Sequence, residues 1–280
     1  MLPRALLPLL VAACAPGAVP EVAPSADGGL QGVDACDGPC GEGPFFLVDR
    51  LGIAEGAAEG EDLDGVDGDC DVTDAPGGVD NRFADLFASL PPVLQRAMPP
   101  LLQETVTTGG LNLLVEVVGG QGLDGDGTVG VVLHHATGAP AVDVTGAILP
   151  QQTFDVDARL GATAAGRVVD GWLTAGPFDV VLPLTFLNRH AELHLRRAVL
   201  RVRRDAGAGV EGHLAGLVPL EDAVELAAQV GGPSDTTIRA ATAALVPVFV
   251  DARREEDGDC DAISATFLLG AVPAFVFAAE

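Results

Sequence analysis

Phe178-Asp179-Val180-Val181-Leu182-Pro183-Leu184-Thr185-Phe186 reads as a β-strand. Phe178, Val180, Leu182, Leu184 and Phe186 alternate with Asp179, Val181, Pro183 and Thr185, and alternate side chains of an extended chain point to opposite faces. The stretch therefore buries one face. Upstream, Phe154, Val156 and Ala158 alternate with Thr153, Asp155, Asp157 and Arg159 in the same way. Gly119-Gly120-Gln121-Gly122, Asp124-Gly125-Asp126-Gly127, Thr137-Gly138 and Asp205-Ala206-Gly207 supply turns between such segments. About seven short strands between roughly 111 and 217 predict a mainly β fold with a few short helices, an antiparallel sandwich or partly closed barrel.

Helical periodicity is confined to the flanks. Apolar residues at 83, 86, 87 and 90 give an amphipathic helix over 82–90, which Pro91-Pro92 stops, with short turns expected around Pro99-Pro100. Segments 221–230 and 236–250 also read as helices, the second weakened by Pro247. The tail Ala262–Ala279 carries no charge for eighteen residues, so a membrane-spanning helix competes with buried strands. Ile263, Phe267, Leu269, Phe275 and Phe277 fall on odd positions against mostly smaller even ones, and Pro273 interrupts; both favour strands.

The chain has 40 acidic and 15 basic residues, no lysine and no tyrosine. Such an acidic surface repels nucleic acid and anionic headgroups and favours cations. Without lysine, a P-loop, a Schiff-base enzyme or a lysine base is excluded. Arg4 precedes an apolar stretch ending in Leu10-Val11-Ala12-Ala13-Cys14, the layout of a secretory signal. A cysteine after that small pair resembles the lipobox of bacterial lipoproteins. The resemblance implies removal of 1–13, lipid on Cys14 as the membrane link, and, with Ala15, an outer-membrane or cell-surface location. Without Arg4, 14 basic residues face 40 acidic ones, a net charge of −26. Residues 14–60 are rich in Pro, Gly, Ala and acids and read as a disordered tether, leaving 61–280 as one β-rich domain.

Four cysteines follow Cys14, an even number that reads as disulfides in an exported chain. Three pairings are open; Cys36 and Cys40 flank the turn-forming Asp-Gly-Pro, which favours a small local bridge and with it Cys70 to Cys260. Zinc competes for Cys36 and Cys40, but no nearby histidine or second CxxC completes a ligand set. Cys70 and Cys260 each lie in Asp-Gly-Asp-Cys-Asp, at 67–71 and 257–261. Joining them gathers Asp67, Asp69, Asp71, Asp257, Asp259 and Asp261, where a Ca²⁺ ion competes with simple solvation of two acidic turns. The spacing fails the EF-hand pattern, with Val66 and Asp67 at the fifth and sixth places counted from Asp62.

Other motifs are weaker. His190-Ala191-Glu192-Leu193-His194 lacks the His-Glu-x-x-His order, and on a strand its histidines stand about 13 Å apart, too far to share a metal. His134-His135 point to opposite faces of a strand. No serine lies in Gly-x-Ser-x-Gly. Arg189, Arg196, Arg197, Arg201, Arg203 and Arg204 form a basic strip, read as internally paired or solvated ahead of binding an anionic partner.

Asp62-Leu63-Asp64-Gly65 followed by a cysteine, Gly78-Val79-Asp80-Asn81, Cys260-Asp261-Ala262-Ile263-Ser264 and Ala271-Val272-Pro273-Ala274 together are similar to uncharacterised predicted lipoproteins of high-GC, myxobacterial-type bacteria. The likeness spans roughly 60–275 and implies no activity; it agrees with pairing Cys70 to Cys260 and with a strand at the tail. The expected function is a lipid-anchored envelope protein with a binding or structural role, its protein or surface-polymer partner unnamed. The alternative is a polysaccharide hydrolase using a carboxylate pair that no spacing reveals.

Overall fold

A computed structural model describes residues 43–277 except 57–58, 64, 66–67, 69, 120–121, 187–188, 232–239, 241–242 and 255–257. Eight strands follow in order: β1 (Phe45–Ile53), β2 (Leu113–Val118), β3 (Gly127–Thr137), β4 (Gln152–Val169), β5 (Trp172–Phe186), β6 (Arg189–Arg204), β7 (Val210–Pro219) and β8 (Ala262–Val276). Each pairs antiparallel with the next, and β8 returns to β1, so the strands bond as a closed ring. The mainly β class with short helices is the one the alternating segments predict.

The ring is not a regular barrel, because β8 has three neighbours. β1 occupies one edge over Phe267–Ala274. On the other edge β7 pairs with Ala262–Ala271, and beyond it the start of β4 takes over in parallel, Gln152 beside Ala274 and Phe154 beside Val276. β4 reaches this position because its pairing with β3 shifts register between Leu133 and His135. A register shift bends a strand and lets one sheet turn a corner.

Alternation decides the core. Phe178, Val180, Leu182 and Leu184 of β5 are all buried, as are Leu193, Leu195, Ala198, Leu200 and Val202 of β6. Between β4 and β5 the chain turns through Asp170 (φ 51°) and Gly171 (φ 77°), the left-handed pair that matches the twist of a two-residue hairpin.

The flanking segments differ from expectation in three places. Phe45–Ile53, assigned to the tether by composition, is a strand of the ring, since Phe45-Phe46-Leu47-Val48 is a short apolar run of the kind a fully buried strand presents. Pro91-Pro92 does end the first helix, α1 (Arg82–Ser89), but a second, α2 (Pro92–Thr107), begins there and continues through Pro99 and Pro100 where the sequence predicts only short turns. Proline suits the first turn of a helix, and burial of Leu102 and Val106 against the strands offsets the two backbone bonds lost further in. Third, the helix expected over 236–250 is helical at 240 and 243–245 but tightens into a 3₁₀ turn, Val246–Phe249, around Pro247, with Val250 extended. Its part from 236 to 239 and at 241–242 lies outside the described residues, as do residues 1–42. The 221–230 helix forms as α3 (Leu220–Gly231).

The tail is a strand, and among the described residues no helix is long and apolar enough to cross a membrane. Phe267 is 3% exposed and its neighbour Leu268 is 39% exposed. Phe267→Ala should therefore lower unfolding stability by about 3–5 kcal/mol in urea titrations, and Leu268→Ala by under about 1 kcal/mol. Equal losses would contradict the strand assignment.

Candidate functional site

Cys70 and Cys260 form a disulfide, their Cα atoms 5.7 Å apart across 190 residues of sequence. Cys70 and Asp71 both adopt left-handed backbone (φ 55° and 63°), which turns the acidic loop toward its partner. The loop is also held by packing. Leu63, the apolar residue in Asp-Leu-Asp-Gly, is buried with Ala215 and Leu217 of β7, Ala262 of β8 and Ala252 bridged to it. The Asp80 carboxylate accepts the Leu63 N–H at 2.8 Å.

Charge fastens the same loop to the basic strip. Glu61 Oε1 lies 2.5 Å from Nε2 of His213 and accepts from Arg201 Nη1 at 3.2 Å. Burial works most strongly against ionisation of Glu61, but His213 and Arg201 together hold its carboxyl below the ordinary range. Arg201 and Arg203 both lie over the ring of Trp172, 5.1 and 4.8 Å from its centroid, and Arg203 also donates to Glu211. Arg204 grips Asp124 with two nitrogens, and Arg196 pairs with Asp179. Four of the six arginines, Arg196, Arg201, Arg203 and Arg204, are therefore paired within the molecule. Arg203 is both stacked on an aromatic face and bonded to a carboxylate, whereas Arg201, stacked and bonded through Nη1, keeps a buried Nε with no hydrogen-bond partner.

Beneath the loop runs a buried polar network. Asp251, 5% exposed, accepts the Ser264 N–H at 2.8 Å and the Ser264 hydroxyl at 2.5 Å. Ser264 Oγ in turn accepts the Arg82 N–H at 2.8 Å, the role an N-cap side chain plays for the first turn of α1. Asn81 donates to the carbonyls of Ala54 and Gly56 and accepts from Thr266 N–H. Loop, helix start and β8 are thus joined through one set of bonds. Burial pushes the Asp251 carboxyl up to about 6, against the pull of Ser264 and Arg82, and nearby Asp74 adds to the rise.

A raised acid beside a second carboxylate is an arrangement that acid–base hydrolases use. Here both oxygens of Asp251 are engaged by Ser264, and Ser264 itself is fully buried. The geometry is that of a structural joint, since a substrate has no surface on which to meet these groups.

The remaining sequence candidates separate. Asp261 is bound by Arg254, whose Nε donates at 2.6 Å; burial opposes its ionisation, yet Arg254 holds its carboxyl below the ordinary range. Asp71 and Asp259 are exposed, while Asp67, Asp69 and Asp257 lie outside the described residues, as do Cys14, Cys36 and Cys40. Among the described residues no group of three His, Cys, Asp or Glu side chains is placed to hold a metal. His190 contacts Thr185 and His194 contacts Asp222, 2.9 and 2.7 Å away. His134 meets the buried Glu116 at 2.7 Å, whereas burial lowers the pKa of His135 on the opposite face. Neither Asp251 nor Glu61 stands out by spacing; the clue to both is that Leu63 and Ser264 flank the cysteine motifs.

No protein-family model, curated protein or solved structure matches the chain. The arrangement must be read on its own chemistry.

Two outcomes follow. The disulfide closes so long a loop that Cys70→Ser with Cys260→Ser should lower stability by about 5 kcal/mol in the chain-entropy account, read as a lower denaturant midpoint; an unchanged midpoint would contradict a closing role. For Asp251, an acid held above its ordinary 3.8, the native state binds the proton more tightly than the unfolded chain. Its contribution is complete below about pH 4 and is lost as pH rises through about 6, on the order of 2–3 kcal/mol. Asp251→Asn should thus melt well above wild type at pH 7.5 and converge with it near pH 4. A gap that does not change with pH rules this out.

Proposed function

We propose that the chain is an exported, lipid-anchored protein of the outer membrane or cell surface, and that its β-ring domain binds or supports other envelope components without catalysing a reaction. The observation that carries the reading is the Cys70–Cys260 disulfide, since such bonds form and persist in oxidising compartments outside the cytoplasm. Leu10-Val11-Ala12-Ala13-Cys14 supplies a matching address.

The fate of the buried acids supports a non-catalytic role. Asp251 is bonded to Ser264 through both oxygens and Asp80 binds the Leu63 N–H, while Glu116 meets His134 through one oxygen and keeps the other buried without a hydrogen-bond partner. The strongly acidic surface also suits a polymer-rich, cation-containing exterior.

Expressed in full in a Gram-negative host, the protein should partition into the detergent phase, with a mature N-terminus at Cys14 carrying a thioether-linked diacylglycerol by mass spectrometry. Cys14→Ser should move it to the aqueous phase. Recovery of the wild-type chain from the cytoplasm with Met1 intact would end the proposal.

A further inference from the structure

Each half of the clasp sits in Asp-Gly-Asp-Cys-Asp, and a disulfide by itself needs no such neighbours. Residues 61–80 carry eight acids and no base, and residues 251–261 carry six acids and two arginines. Several of these charges are engaged inside the fold. Arg201 and His213 hold Glu61, Ser264 holds Asp251, and Asp261 shares Arg254 with Glu221. Arg253 also has a partner within the molecule. Asp71 and Asp259 are left exposed, one directly after Cys70 and the other directly before Cys260. With the two cysteine Cα atoms 5.7 Å apart, carboxylates of both motifs stand around one pair of sulfurs. Cys70 is half-buried and Cys260 is exposed, so a reagent meets the bond at Cys260.

Disulfides exchange by attack of a thiolate on sulfur. Here an external thiolate RS⁻ attacks Sγ of Cys260, the Cys70–Cys260 bond breaks, and Cys70 leaves as a thiolate that takes a proton from water. A second RS⁻ attacks the mixed disulfide and releases RSSR and the Cys260 thiolate, which is protonated in turn. Two electrons pass from two thiols to the clasp, and the two protons those thiols lost are balanced by the two the cysteines gain. Carboxylates oppose both charged species, repelling the incoming thiolate and destabilising the outgoing one. A further charge on the reagent feels the same field. Unit charges about 6 Å apart in water change a rate about threefold, so two carboxylates change it about tenfold for each such charge.

We propose that the twin acidic motifs select the redox partners of the clasp, excluding anionic thiols and admitting cationic ones. The inference needs the bond alone and is independent of the lipid anchor.

The test treats the purified full chain, at low ionic strength, with cysteamine, which carries an ammonium, and separately with 2-mercaptoethanesulfonate, which carries a sulfonate. Opening of the bond is followed by alkylation and mass spectrometry of the Cys70 and Cys260 peptides, with rates expressed per thiolate. Both reagents need the same access to sulfur, so their ratio isolates charge. The ratio should exceed that for 2-hydroxyethyl disulfide, an uncharged reference, by at least about tenfold. In about 1 M KCl, where charges are screened beyond about 3 Å, it should fall to within about threefold of the reference. Asp71→Asn with Asp259→Asn should lower the low-salt ratio several-fold, asparagine being suited to the left-handed backbone at 71 (φ 63°). Asp155→Asn with Asp170→Asn removes the same charge from exposed sites elsewhere and should leave the ratio unchanged. Asp155 adjoins the far end of β8, where Phe154 pairs with Val276, whereas Cys260 precedes Ala262. A wild-type ratio no larger than the reference overturns the proposal. So does an equal fall in both double variants, which would assign the effect to the net charge of the whole chain. If the Asp71 and Asp259 variant fails to form the bond, the wild-type salt dependence decides: a ratio unmoved by salt contradicts the proposal.

Discussion

Everything in this fold waits on β8. It is the last strand to be made, yet it lies between β1 and β7 and then beside the start of β4, so its partners come from every part of the domain. Bringing chain ends together across some two hundred residues carries an entropic cost that local contacts do not repay. The Cys70–Cys260 bond removes much of that cost by fixing the loop before α1 to the entry of β8. Leu63, Asp80 and the Asn81–Ser264–Asp251 network then continue the attachment without covalent bonds.

The same joint reconciles two opposing features of the composition. An acidic chain repels itself, and a cluster of arginines on one strand invites foreign anions. Laying the acidic loop across β6 and β7 answers both. Glu61 meets Arg201 and His213, while Asp124 and Glu211 take Arg204 and Arg203. Most of these pairs are half-exposed and contribute little to stability one by one. Their effect is on register, since each pair ties β6 to a neighbouring strand or loop.

Much of this was legible in the residues, and the rest was hidden for identifiable reasons. Period-two alternation marks β5 and the start of β4 because each buries one face. β1 escapes because a strand buried on both faces has no alternation, and its apolar run sits beside acidic, glycine-rich sequence. Asp170-Gly171, a strong hairpin dipeptide between two apolar runs, was a signal available but unused. α2 runs through a Pro-Pro pair that local rules take as a stop, because packing of Leu102 and Val106 outweighs propensity. The Cys70–Cys260 pairing is suggested by parity together with the twin Asp-Gly-Asp-Cys-Asp motifs, but the role of Ser264 and Asp251 is not. Nothing local to either residue says that they meet at the start of a helix 182 residues before Ser264.

The account stands on the clasp, so the pairing of cysteines is what to measure. Non-reducing proteolysis and mass spectrometry of the purified full chain should yield a linked fragment containing Cys70 and Cys260, which separates into two peptides on reduction. Recovery of Cys70 linked to Cys36 or Cys40, or of Cys70 and Cys260 as unlinked thiols, would contradict it.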